Sequence, residues 1–120
     1  MAGYSPLIET MLELIRIDSE SLNERRAADY VAARLKPVAD GIIEDDAGAR
    51  LGGNAGNLIV TLKGARADFP KIMLNAHLDT VTPGVGISPV IDGDVIRSSG
   101  DTILGSDDKA GVAVILELVR

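Results

Sequence analysis

The sequence has no cysteine, no tryptophan and only one histidine. Without cysteine there is neither a disulfide scaffold nor a thiolate metal site, and a reducing compartment is permitted. Aromatic residues make up 2% of the chain, too few for the stacking platforms that hold single-stranded nucleic acid. Positive charge is also short. The formal net charge is −6, whereas a nucleic-acid binder carries a basic face. No apolar run approaches the ~18 residues of a membrane span. Residues 1–18, MAGYSPLIETMLELIRID, hold Glu9 and Glu13 and no early positive charge, the wrong flank for a signal peptide. These absences argue against nucleic-acid and membrane partners and lead us to expect a cytoplasmic protein.

What is present is enough for one domain with a real core: 120 residues, 46% hydrophobic and 25% charged. Ser5-Pro6 opens a first helix as cap and first-turn proline, with Leu7, Ile8, Met11, Leu12 and Ile15 as its apolar stripe. Ser21-Leu22-Asn23-Glu24 reads as a capping box for a second helix, whose face is Ala27, Tyr30, Val31 and Leu35 and whose stop is Pro37. Asp18-Ser19-Glu20-Ser21 before it reads as a solvated turn plus cap. Ile42-Ile43 starts a strand, and the acidic run Glu44-Asp45-Asp46 reads as its solvated edge. Residues 48–56 form a Gly-rich loop. It is not a phosphate cradle, because no Gly-Lys-Ser/Thr ends it and a strand follows. Residues 58–62 read as a strand, and 64–70 as a turn. Val90-Ile91 and Val95-Ile96 flank Asp92-Gly93-Asp94, a hairpin signal.

The chain is organised around residues 71–119. Lys71 to Ala76 reads as a buried strand that delivers the single histidine, His77, at its end. Ligands in open α/β sheets sit outside the carboxyl ends of strands. Side chains two apart on a strand point the same way, so the carboxylate of Asp79 can reach one nitrogen of His77. That fixes the tautomer and leaves the other nitrogen for a metal. Further on, Asp107-Asp108-Lys109 precedes a helical pattern. Each piece alone has a plainer reading: a histidine capping a strand with Asp79 opening a turn, and aspartates favoured at a helix N-terminus.

Together, NAHLDTV and ILGSDDKAG resemble the co-catalytic zinc peptidase and deacylase family that includes tripeptidase T, glutamate carboxypeptidase and acetylornithine deacetylase. The tripeptidase T-like branch is nearest. RIDSESLNER, GGNAGNLIV and the PGVGISPVIDGDVIRSSGDTILG connection fit it as well, so the resemblance covers essentially the whole chain. Gly100-Asp101 stands where Asp-Gly order is usual, and Ser106 where Ala is commoner; neither is a ligand position. The resemblance implies that His77 is a ligand of one zinc, that Asp107 bridges two zincs, and that Asp79 serves catalysis by orienting His77. Asp108 and Lys109 belong to the motif without being ligands. It also implies two zincs per complete active site, and hydrolysis of short peptides by removal of the N-terminal residue. Deacylase and carboxypeptidase activities occur in the same family.

The family's Glu-Glu pair, which supplies the general base and a further ligand, and its second histidine have no counterpart here. Val112, Ile115, Leu116 and Val119 follow helical spacing up to Arg120 without a stop signal. We therefore expect residues 1–120 to be the N-terminal portion of a catalytic domain, incomplete at its C-terminus and inactive alone. A lid domain, through which alone a homodimer would form, would lie outside it. A metal-free α/β domain and a non-catalytic assembly piece are the other readings. The expected fold is α/β: two N-terminal helices on a mixed β-sheet, and a third helix after the Asp107 loop.

Overall fold

The computed structural model describes residues 3–120. Among them the order of elements is α1 (Pro6–Ile15), α2 (Arg25–Leu35), β1 (Gly41–Glu44), α3 (Ala47–Leu51), β2 (Leu58–Thr61), β3 (Pro89–Asp92), β4 (Val95–Ser98) and α4 (Ser106–Leu118). The class is α/β, with the strands gathered into two antiparallel pairs, β1 with β2 and β3 with β4. The parallel component is one isolated bridge between Glu20 and Thr80.

Local signals place the helix starts and the hairpin. Ser5 caps α1, its Oγ accepting from the Ile8 amide at 3.4 Å, and Pro6 occupies the first turn. β3 and β4 are joined by Gly93 and Asp94. Only Gly93 takes a positive φ, 61°, as a two-residue type II′ turn requires. Long-range packing overrides the local pattern elsewhere. α1 buries Leu12 and Ile15 of the expected stripe and packs Met11 on the core, but it also buries Thr10 and Leu14, and Leu7 faces solvent. The helix is rotated because Thr10 turns toward α4, where its hydroxyl donates to Glu117 at 2.9 Å.

The capping box is not formed. Glu24 precedes α2 without a side-chain cap, and the Arg25 amide instead donates to Asn54 Oδ1 at 3.0 Å. Where the Gly-rich loop of residues 48–56 was expected, Ala47–Leu51 close into α3, ended by Gly52 in the left-handed region. The helix after the Asp107 loop is therefore the fourth. The acidic run at the end of β1 lies at a solvated edge as expected, and it is also hydrogen-bonded there. Glu44 accepts from Arg25 at 2.7 and 2.8 Å, and Asp45 accepts from the amide and side chain of Asn57 at 2.7 and 2.8 Å.

The core lies between α1, α2 and α4. Leu14, Val31, Leu35, Val112, Ala113 and Leu116 form it, and Ile42, Leu58 and Val60 of the β1–β2 pair close one side. Burying six such side chains removes water from each at about 1.5–3 kcal/mol for the larger ones. Residues 71–76 do not form the expected strand. Among the described residues their amides find no backbone partner, and strand pairing cannot exist without one. Ile72 and Met73 are each 84% exposed. The stretch becomes anchored only at its end, where Ala76 and Leu78 pack against the core.

Candidate metal centre

Ala76 and Leu78 dock on the core, so the alternation of side chains sends His77 and Asp79 to the opposite side. This holds although no neighbouring strand enforces it. His77 Nδ1 lies 3.0 Å from Asp79 Oδ1 and 2.9 Å from the Asp79 carbonyl oxygen. Both are acceptors, so the geometry suits a proton on Nδ1.

The loop is held from behind by residues 17–21. Ser19 Oγ donates to the Leu78 carbonyl at 2.8 Å, the Thr80 amide donates to the Ser19 carbonyl at 2.9 Å, and the Ser21 amide donates to the Thr80 carbonyl at 3.1 Å. Ser21 Oγ donates to Asp79 Oδ2 at 2.5 Å. Asp18 and Glu20 reach the other way, accepting from the amides of Gly86 at 2.8 Å and Gly84 at 3.1 Å. The expected solvated turn is in fact the frame of the site. Its role escaped the sequence reading because every one of these partners lies some sixty positions downstream; the run of short polar side chains was the only local trace.

Asp107 arrives from the start of α4. Gly105 turns the chain in the left-handed region, φ 80°, and neither Asp107 (φ −95°, ψ 100°) nor Asp108 is helical. Asp108 Oδ1 accepts from the Gly111 amide at 3.1 Å, which makes Asp108 the working N-cap. Asp107 is thereby left free for the site. Its Oδ1 stands 3.0 Å from His77 Nε2, and its side chain is 95% exposed, so its second oxygen is open. Lys109, next on the helix, turns inward and is 1% exposed. Its Nζ donates to the Ile17 carbonyl at 2.5 Å. The sequence pattern marked Lys109 but gave no sign of its burial.

His77, Asp79 and Asp107 meet in a cleft of about 270 Å³ whose other walls include Val81, Ile103 and Leu104. Burial works against a charged ring at His77. Hydrogen bonds to Asp107 and Asp79 outweigh it and raise His77 above the ordinary histidine value of 6.5. The Ser21 hydroxyl, and then His77 itself, lower Asp79 below the usual carboxylate value against the effect of burial.

With its proton on Nδ1, Nε2 presents a lone pair to a carboxylate oxygen. Two acceptors at that distance need a proton or a cation between them. An imidazole nitrogen and a carboxylate oxygen are both zinc donors, so the pair fits one edge of a metal site. Among the described residues no group of three or more His, Cys, Asp or Glu is placed to complete it.

No protein-family model matches the chain. The Bacillus subtilis protein YqjE is 38% identical over 120 residues, all of this chain and 32% of that one. A protein of Aspergillus terreus named as a probable carboxypeptidase is 34% identical over 112 residues, 89% of this chain and 25% of its own length. Among solved structures, the aminopeptidase PepT of Bacillus cereus matches with a TM-score of 0.90 at 39% identity, over 96% of this chain and 31% of that one. A tripeptidase of Staphylococcus aureus gives a TM-score of 0.90 at 37% identity, over 99% of this chain and 32% of that one. The chain is similar in sequence and fold to part of these tripeptidase-like peptidases. This tripeptidase-like chain spans about a third of the length of the proteins it matches most fully. The resemblance carried by NAHLDTV and ILGSDDKAG is thus met by the fold. No helix among its described residues is long and apolar enough to cross a membrane.

Proposed function

We propose that this tripeptidase-like chain contributes His77 and Asp107 to a two-zinc site that hydrolyses short peptides, releasing the N-terminal residue. The observation that carries the reading is the 3.0 Å approach of His77 Nε2 to Asp107 Oδ1, with Nδ1 already engaged by Asp79. His77 is the ligand of one zinc. Asp107 would be the carboxylate shared between the two metals, since one of its oxygens lies at the histidine and the other is open. Asp79 holds the ring in the tautomer that offers Nε2 and is not itself a ligand.

Bound metal would supply the Lewis acidity that amide hydrolysis needs. The chain's own residues orient and insulate. Asp79 holds the proton on Nδ1, and Val81, Ile103 and Leu104 give the cleft apolar walls. Among the described residues no glutamate lines that cleft; the family resemblance implies that the general base and the remaining ligands are supplied by other parts of the enzyme. Release from the amino end is favoured over the carboxyl end by the two solved structures, an aminopeptidase and a tripeptidase.

Zinc titration by calorimetry, with His77→Ala as control, tests the site. Heat of binding in the native protein that disappears in the variant is the expected result. Equal binding by both removes His77 from the ligand set. For the complete enzyme, the product of tripeptide cleavage decides the direction: a free N-terminal residue supports the reading, and a free C-terminal residue replaces it with a carboxypeptidase.

A further inference from the structure

Asp79 reaches His77 with one carboxylate oxygen, and its other oxygen is already taken. Ser21 Oγ donates to Asp79 Oδ2 at 2.5 Å, while Oδ1 meets His77 Nδ1 at 3.0 Å. The terminal torsion of an aspartate is broad and roughly twofold, so the side chain holds no orientation by itself. Anchoring one oxygen fixes the plane of the carboxylate and therefore the place where the other oxygen meets the ring. We propose that Ser21 is a positioning residue that sets the orientation and tautomer of His77 through Asp79. Its importance for metal affinity rests on the reading of His77 as a zinc ligand.

Ser21 is well placed for this. Its amide is tied to the Thr80 carbonyl, and the Thr80 amide to the Ser19 carbonyl. Main-chain bonds on the far side of Asp79 thus set where its Cβ stands. The hydroxyl adds the one side-chain link from this segment to the carboxylate. Ser21 is exposed, so removing its oxygen opens no buried cavity and leaves the main-chain lacing in place.

The consequence is chemical. A neutral imidazole carries one proton, and two carboxylates compete for it, Asp79 at Nδ1 and Asp107 at Nε2. Ligation through Nε2 needs the proton on Nδ1. The Asp79 carbonyl oxygen accepts there at 2.9 Å, and Oδ1 adds a second acceptor at 3.0 Å, whose place Ser21 enforces. Freed from Ser21, the carboxylate swings, and the proton moves toward the Asp107 side.

The single histidine makes the test direct. In metal-free protein labelled with nitrogen-15, at a pH where the ring is neutral, the two ring-nitrogen shifts report one tautomer ratio. The native protein should show mainly Nδ1–H. Ser21→Ala should raise Nε2–H to a comparable share, and Ser21→Thr should restore the native ratio. Zinc affinity should fall about tenfold in Ser21→Ala, the low end for groups that act through a ligand. The double variant Ser21→Ala/Asp79→Asn should bind zinc no more weakly than Asp79→Asn alone, because Ser21 acts only through Asp79. An unchanged tautomer ratio in a natively folded Ser21→Ala overturns the proposal, as does additivity in the double variant. If the native protein takes up no zinc but the tautomer still moves, the metal reading fails and the positioning role stands.

Discussion

Lys109 Nζ and the Ile17 carbonyl oxygen are joined at 2.5 Å across 92 positions of sequence. This single bond fastens the start of α4, which carries Asp107, to the segment that braces the His77 loop. The amine is 1% exposed. Burial drives it down to about 8, with the charge of Asp18 partly opposing. Lys109→Ala leaves the carbonyl without its donor and should cost about 1.5–3 kcal/mol, the range for a hydrogen bond to a charged group. Urea unfolding would measure this, and a midpoint equal to the native one would refute it.

Zinc uptake should strengthen as pH rises. His77 is raised above 6.5 by its carboxylate neighbours, and a metal must displace that proton. Below the folded value the proton wins; above it the lone pair is available. Calorimetric affinities at a series of pH values should climb through this region and then level. Asp107→Ala and His77→Ala should each bind zinc too weakly to titrate. A flat pH profile would point to ligands other than His77.

Glu44 gives an acid-linked contribution to stability. The Arg25 hydrogen bond, and then the Gly56 amide, hold it at about 2, against 4.5 when unperturbed. A carboxyl lowered on folding contributes stability above its unfolded value and loses it as pH falls toward the folded one. Glu44→Gln should therefore be less stable than native at pH 7. The two should converge as pH falls from 4.5 to about 2. The pair is partly exposed, 36% and 32%, so the difference will be small and should shrink in high salt. Thermal melts at three pH values suffice. A gap that persists in acid would exclude this pair as its source.

Residues 1–120 by themselves should not turn over a tripeptide. Catalytic zinc sites use about three protein ligands each, and among the described residues His77 and Asp107 stand without a third. Purified protein with added zinc should release the N-terminal residue no faster than its His77→Ala variant. Turnover clearly above that control would mean that a second copy or an overlooked side chain completes the centre.

Features that depend on neighbouring residues were legible in the sequence. The Ser5-Pro6 start, the turn at Gly93 and the reach of Asp79 to His77 are all settled within a few positions. Asp107 and Asp108 were readable as a helix start, and the resemblance set Asp107 apart as a ligand, but the capping task of Asp108 was not readable. Only the Gly111 contact shows that Asp108 takes the cap and frees Asp107. What the sequence could not reveal was long-range pairing. The expected strand at 71–76 lacked a partner, Ser21 left its own helix to serve Asp79, and α1 turned Thr10 inward to meet Glu117. In each case a local preference of a kcal/mol or less yields to tertiary contacts.

Among the described residues the stretch before His77 has no strand partner, so the histidine is braced from its C-terminal side and much less from its N-terminal side. Ala76 and Leu78 hold it at one side, while Ile72 and Met73 lie open to water. Fixing the backbone of each free residue costs about 1–2 kcal/mol of conformational entropy. Any ligand that needs the ring held still must meet whatever part of that cost the structure has left outstanding. A neighbouring strand laid along residues 71–76 would meet it beforehand. Such a strand would tighten metal binding without touching a metal ligand, and zinc would in turn favour the strand by the same factor.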